Sequence, residues 1–158
     1  MAEYSANAVQ TVQPNGFAVF TATVVRCDRG LIGHNDETPI FSLDGWRPNS
    51  GCCCNRNNPT LYDVKLGMNV ALAEGATVEP IAVAITVDGA AYPLSEMDST
   101  PAAVGEFNHI GNDLSLPILR NCCQSVAVQN LSTQPIDIKN LVIKFGRPDL
   151  NSNANCYY

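Results

Sequence analysis

Apolar and polar residues alternate in short segments along the whole chain, and most segments are closed by Gly, Pro, Asn or Asp. The clearest alternation lies in LYDVKLGMNVAL (61–72), where every second residue from Tyr62 to Met68 is apolar. Successive side chains of a strand point to opposite faces, so this pattern predicts a strand with one solvated side. In IAVAITVDG an unbroken β-favouring run ends at Asp88-Gly89, a pair suited to a tight hairpin turn.

Further strands are predicted within GFAVFTATVVRC (16–27), PIFSLDGW (39–46), the end of 95–119, QSVAVQNLS (124–132) and PIDIKNLVIKFGR (135–147). No long segment shows the 3.6-residue apolar period of an amphipathic helix, and only PAAVGEF (101–107) suits a helical turn. Many short strands separated by turn residues are typical of an all-β sandwich or barrel. The 158 residues predict one domain over 14–147, with an N-terminal arm (1–13) and a polar C-terminal tail (148–158).

Charged residues make up only 15% of the chain, against about 25% in an average soluble domain. A surface so poor in charge predicts that copies of the chain or a partner cover part of it. The net charge of -6 and the scattered Lys and Arg residues disfavour nucleic-acid binding. The start, MAEYSANAVQ, does not read as a secretory signal, and no apolar stretch reaches the roughly 20 residues that span a bilayer. We therefore expect synthesis in the cytoplasm and no membrane partner.

The order of these segments resembles the jelly roll of the tumour necrosis factor and complement globular-head superfamily. The resemblance rests on the aromatic-led LYDV strand, the Asp-Gly hairpin and the final Val/Ile-rich strand, and it covers about residues 14–147. TPAAV (100–104), Cys122-Cys123 and the NLSTQP turn (130–135) are similar to stand-alone surface or virion modules of gut Firmicutes and their phages. The resemblance implies an all-β, single-domain jelly-roll sandwich that assembles as a homotrimer.

From the resemblance we expect a non-enzymatic structural module of a bacteriophage virion, such as a capsid decoration protein, a head fibre or a fibre head. It would be made in the host cytoplasm and would contact itself and other virion or surface-layer proteins. The alternative is an adhesion module on a bacterial cell or spore surface that binds a host glycan. Neither interpretation requires a cofactor.

The last strand and the 83–87 run are predicted to meet other copies at the centre of the trimer. Replacing Ile143 with Asp would then abolish assembly. The candidate interface residues are Ile136, Ile138, Leu141, Ile143, Phe145, Val83, Ile85 and Val87.

Seven cysteines occur, and an odd number leaves at least one thiol unpaired within a monomer. The candidates for a thiol or disulfide cluster are Cys27, Cys52, Cys53, Cys54, Cys122 and Cys123. The residues are compatible with a bound metal, with disulfides between the 52–54 loop and the Cys122-Cys123 pair, or with reduced thiols. The triple cysteine is expected to tether its loop against the Cys122-Cys123 turn.

Two other sets of residues carry weaker signals. His34 and His109 lie in polar surroundings and predict solvated loop histidines, and HNDET (34–38) predicts a solvated loop in preference to a calcium site. Trp46 beside Arg47 is the best candidate for a ligand platform, ahead of Tyr92 and Phe107, and is equally compatible with a hydrophobic plug.

Overall fold

The structure is a computed structural model that describes residues 1–26, 31–45, 59–119 and 123–147. The described chain is built almost entirely from strands, with a single short 3-10 turn at Pro93–Ser95. The strands are β1 Ala2–Ala6, β2 Gln10–Val12, β3 Ala22–Val25, β4 Ile32–His34, β5 Phe41–Asp44, β6 Thr60–Leu72, β7 Ile81–Val87, β8 Ala90–Ala91, β9 Met97–Ser99, β10 Asn108–Ile118, β11 Cys123–Asn130 and β12 Ile136–Gly146.

Two antiparallel sheets enclose one core. The first sheet has the order β10-β6-β12-β1-β3, with β2 also pairing with β12. The second sheet has the order β4-β5-β11-β7-β8, with β9 also pairing with β7. The predicted all-β sandwich is therefore confirmed. The part of the chain that the structure describes contains no helix long and apolar enough to cross a membrane.

Strand β6 confirms the alternation seen in the sequence. Its side chains from Tyr62 to Met68 are buried at every second position, while Leu61, which precedes them, and Lys65, which lies between them, are exposed. The strand pairs with β10 on one side and β12 on the other, so it lies inside the first sheet with one face on the core. In its described part, residues 16–26, segment 16–27 is less regular than predicted: only Ala22–Val25 forms a strand there, and Phe17 and Phe20 make isolated bridges.

The hairpin predicted at Asp88-Gly89 is also confirmed. Both residues have positive φ, 50° and 81°, as a type I′ turn requires. The Asp88 carboxylate accepts hydrogen bonds from Gln124 Nε2 and from the Ser125 backbone N–H, each at 2.8 Å. These bonds lower the pKa of Asp88 because they favour its charged form, and the bond from Gln124 has the largest effect. The turn is thereby fastened to the start of β11.

The structure corrects the boundary predicted for an N-terminal arm. Residues 2–6 form β1, which pairs with β12 along its whole length and with β3 on its other side. Residues 10–12 form β2, which extends the same side of β12. Ala2, Tyr4 and Ala6 are buried in the core, so the sandwich includes this segment. The tail predicted over 148–158 lies outside the described residues.

The placement of the trimer centre is corrected as well. The five candidates on β12 are at most 1% exposed because they pack between the two sheets of their own chain. Val83 and Ile85 of β7 are fully buried, and Val87 is partly buried against the same core. A side chain enclosed by its own fold offers no surface to another copy. Replacing Ile143 would therefore disturb the core and would not report on assembly.

An aromatic cluster fills one part of the core. The Phe41 ring lies 4.8 Å from that of Phe20, 4.9 Å from Tyr4 and 5.1 Å from Phe145, between ring centroids. His34 stacks on Phe41 at 4.3 Å, and its Nδ1 lies 3.1 Å from the Ile40 carbonyl oxygen. The prediction of a solvated loop histidine is wrong for His34, because β4 brings its ring onto this cluster.

Candidate functional site

Most of the residues predicted for the cysteine cluster and the Trp46-Arg47 ligand platform lie outside the described ranges. These are Trp46, Arg47, Cys27, Cys52, Cys53, Cys54 and Cys122. Cys123 is the first residue of β11 and is exposed. The ligand platform, the pairing of the cysteines and the proposed tether of their loop therefore stay predictions. Within the described residues, no three His, Cys, Asp or Glu side chains are grouped as metal ligands would be.

The structure directs attention to the outer face of the first sheet, the face turned away from the core. Its middle is a row of small residues that crosses all five strands at paired positions: Gly111, Gly67, Val142, Ser5 and Ala22. At Gly111 a Cβ atom would lie 2.9 Å from the Leu66 carbonyl oxygen, so a side chain there would force the strands apart. The middle of the face is consequently flat.

A charged row lies next to this flat strip. Asp113, Lys65, Lys144 and Glu3 occupy paired positions on four neighbouring strands. Lys65 Nζ lies 2.6 Å from the Asp113 carboxylate, and Lys144 Nζ lies 3.0 Å from the Glu3 carboxylate. The hydrogen bond and charge of Asp113 raise the pKa of Lys65. Each charge in the row thus meets an opposite charge on its own face, as cross-strand pairs do.

A polar row lies on the other side of the flat strip. His109 of β10 pairs with Asn69 of β6, and Asn69 pairs with Lys139 of β12. His109 Nδ1 lies 3.2 Å from Asn69 Oδ1, and Lys139 Nζ lies 3.7 Å from the centre of the Phe107 ring. His109 is exposed, in agreement with its predicted solvation, but it lies in a strand and not in a loop.

One end of the outer face is apolar. Leu61 pairs with Pro117, and Leu119 follows β10 directly. Leu61 is 43% exposed and Leu119 is 60% exposed, so two large apolar side chains face water at this end of the sheet. This group, the apolar end, lies at the opposite end of β6 from the polar row.

Sequence reasoning missed both the polar row and the apolar end. Their members come from β6, β10 and β12, which are far apart in the chain and meet only through strand pairing. The only signal in the sequence was the alternation, which marked Leu61 and Lys65 as outward positions without naming their neighbours.

No protein-family model and no curated protein sequence matches the chain. Among solved structures, Eiger TNF from S. frugiperda is similar with a TM-score of 0.65 and 8% identity, over 92% of this chain and 90% of that chain. The globular domain of zebrafish complement 1qA protein is similar with a TM-score of 0.59 and 9% identity, over 98% of each chain. At such low identity the similarity shows the fold alone: the chain is a jelly-roll sandwich like those of these two proteins.

Proposed function

We propose that the protein is a non-enzymatic structural module of a bacteriophage virion that assembles as a homotrimer through the apolar end of its outer face. Leu61, Pro117 and Leu119 carry this proposal. They form an apolar group on adjacent strands of the first sheet, and burial stabilises by roughly 25 cal/mol for each Å² of apolar surface removed from water. Contact between copies would remove this surface from water.

The charged row, which lies between the apolar end and the flat strip, is suited to lie near another copy. Its lysines are ion-paired within the chain, so approach of a neighbour leaves neither Lys65 nor Lys144 without an opposite charge, although both pairs lose hydration. The low share of charged residues, 15%, agrees with a surface that is partly covered.

The jelly-roll fold supports a trimer and a non-catalytic role, because the superfamily that the sequence resembles consists mainly of trimeric binding or structural heads. Of the two histidines of the chain, His34 is stacked on Phe41 and His109 is bonded to Asn69. Both arrangements are typical of structural or ligand-contacting side chains. General acid-base catalysis instead requires a side chain that is positioned to exchange a proton with a reacting group.

The virion location rests on the similarity of TPAAV, the cysteine pair and the NLSTQP turn to phage and Firmicutes modules. A module on a bacterial cell or spore surface is the second candidate. Peptide mass spectrometry of purified particles and of the cell envelope, from a culture that expresses the protein, separates the two. Peptides in the particle fraction support the proposal, and peptides confined to the envelope refute it.

The assembly proposal is tested by light scattering after size exclusion, with two matched variants. Leu119→Asp places a charge in the apolar end and should convert trimers to monomers, because an unpaired charge at an interface is costly. Val78→Asp is the control, since Val78 is 54% exposed but lies in the connection after β6, at the other end of that strand. If Leu119→Asp remains a trimer of unchanged stability, the interface lies elsewhere. If both variants dissociate, the effect is not specific to the apolar end.

A further inference from the structure

The polar row has the geometry of a small binding site. His109, Asn69 and Lys139 occupy paired positions on three adjacent strands, and neighbouring strands lie about 4.8 Å apart. Their backbone positions therefore span roughly 10 Å across the sheet, and the Lys139 side chain reaches across β6 to the Phe107 ring. Phe107, two residues before His109, joins this group through its contact with Lys139.

Lys139 differs from the other two lysines of the outer face. Lys65 and Lys144 are ion-paired with Asp113 and Glu3, whereas the contact shown for Lys139 in the described part of the chain is with the face of the Phe107 ring. A cation over an aromatic ring is held in place without being neutralised. Its ammonium group is thus positioned and still available to pair with an anion.

His109 and Asn69 supply complementary hydrogen-bonding groups. When His109 Nδ1–H donates to Asn69 Oδ1, the neutral imidazole keeps Nε2 as an acceptor, and the Asn69 amide keeps its N–H groups as donors. A ligand that fills the row must therefore carry both a hydrogen-bond donor and an acceptor, together with a negative charge for Lys139. Hydroxyl groups meet the first requirement, and a carboxylate meets the second.

Two glycines keep the space beside the row open. A Cβ atom at Gly67 would lie 3.6 Å from His109 Cε1, and one at Gly111 would lie 3.7 Å from His109 Nε2. With glycine at both positions, the floor next to the imidazole is bare backbone. The Cε1–Nε2 edge of the imidazole lies against this backbone, so a ring-shaped ligand would lie beside the imidazole and reach the polar row with its edge.

We propose that the polar row binds an acidic monosaccharide unit of the uronic acid class. The carboxylate pairs with Lys139, the hydroxyls bond to Asn69 and His109, and the sugar ring lies beside the imidazole. Asp137, two residues before Lys139, keeps a carboxylate on the same face, where it accepts a 2.6 Å hydrogen bond from Thr11. Because that carboxylate and the net charge of -6 oppose every anion, binding of a carboxylate ligand depends on the Lys139 ammonium group.

The binding is tested by NMR titration of the ¹⁵N-labelled protein with galacturonic acid, with galactose and acetate as comparison ligands. We expect saturable shifts at the amides of 69, 109 and 139, with a dissociation constant of about 1 mM for an open site of this size. Galactose and acetate should each bind at least about tenfold more weakly, because each lacks one of the two required groups. Equal binding of acetate would refute the sugar class, and no localised shift with galacturonic acid up to about 50 mM would refute the site.

Two lysine variants make the test specific. Lys139→Gln keeps the length of the side chain and removes its charge, and should weaken galacturonic acid binding about tenfold. Lys65→Gln is the matched control on the same face and should change the affinity by less than about twofold. Equal effects of the two variants would overturn the assignment. The titration is independent of assembly, because the polar row and the apolar end lie at opposite ends of β6.

Discussion

Asn130, at the end of β11, provides the sharpest test of how the sandwich is held closed. Its side chain is 1% exposed. Asn130 Nδ2 donates to the Val12 carbonyl at 3.1 Å and to the Gln134 carbonyl at 3.0 Å, while Oδ1 accepts from the Ser132 N–H at 2.8 Å. One amide thus joins β2, at the edge of the first sheet, to the turn between β11 and β12.

Asn130→Ala removes all three bonds and leaves their backbone partners without this side chain. A buried group that loses its hydrogen-bond partner costs about 1–3 kcal/mol. Because some of the three backbone groups will gain hydrogen bonds to water, we expect a total loss of about 4 kcal/mol in the free energy of unfolding. For a chain of this size that corresponds to a decrease of roughly 10 °C in the melting temperature. The loss is a large part of the total stability of a typical domain, about 5–15 kcal/mol.

The assay is urea unfolding followed by circular dichroism. The protein concentration is held fixed, because assembly makes the apparent stability depend on it. Gln129→Ala is the control: Gln129 Nε2 donates to the Asn15 carbonyl at 3.0 Å, but this bond is exposed. Its loss should cost less than about 1 kcal/mol. If Asn130→Ala costs no more than Gln129→Ala, the amide network does not hold the edge strand and this reasoning is refuted.

Two further variants test local features of the fold. Gly111→Ala places a methyl group against the Leu66 carbonyl oxygen and should lower the free energy of unfolding in urea by about 1–3 kcal/mol. Gly67→Ala is the control: its methyl group would have 3.6 Å of space to the nearest atom and should cost less than about 1 kcal/mol. Similar costs for the two variants would contradict the close approach of Gly111 to the Leu66 carbonyl oxygen. The pKa of Asp88 is lowered in the folded state by Gln124, so its stabilisation is present above the ordinary value of 3.8 and is lost as the pH falls through the lower folded value. Asp88→Asn should therefore reduce the slope of stability against pH below about pH 4, and an unchanged slope would contradict this role.

The elements that the sequence predicted correctly depend on local patterns. The alternation from Leu61 to Met68 and the Asp88-Gly89 pair each determine their own conformation, because side-chain period and positive φ are properties of neighbouring residues. The strands β6 and β7 and the hairpin could thus be identified before the fold was known. The all-β class followed from the repetition of such segments.

The errors depend on pairings between distant segments. The alternation in β12 separated its two faces correctly but did not show that Ile143 faces the core and Lys144 the outside. The N-terminal segment was predicted as an arm because small and polar residues dominate it, yet it is a strand since β12 and β3 supply partners for both its edges. The polar row was not predictable for the same reason, because it exists only where β6 brings Asn69 between His109 and Lys139.

The mass of the wild-type protein in solution is the most direct test of the proposal that this jelly roll is an assembling module. Native mass spectrometry at about 10 µM protein should give three times the chain mass of 16.9 kDa. The same spectrum recorded with reductant should keep the trimer, since the proposed contact is apolar. A monomer under both conditions would contradict the account, and the outer face of the first sheet would then have to be interpreted as a surface exposed to solvent.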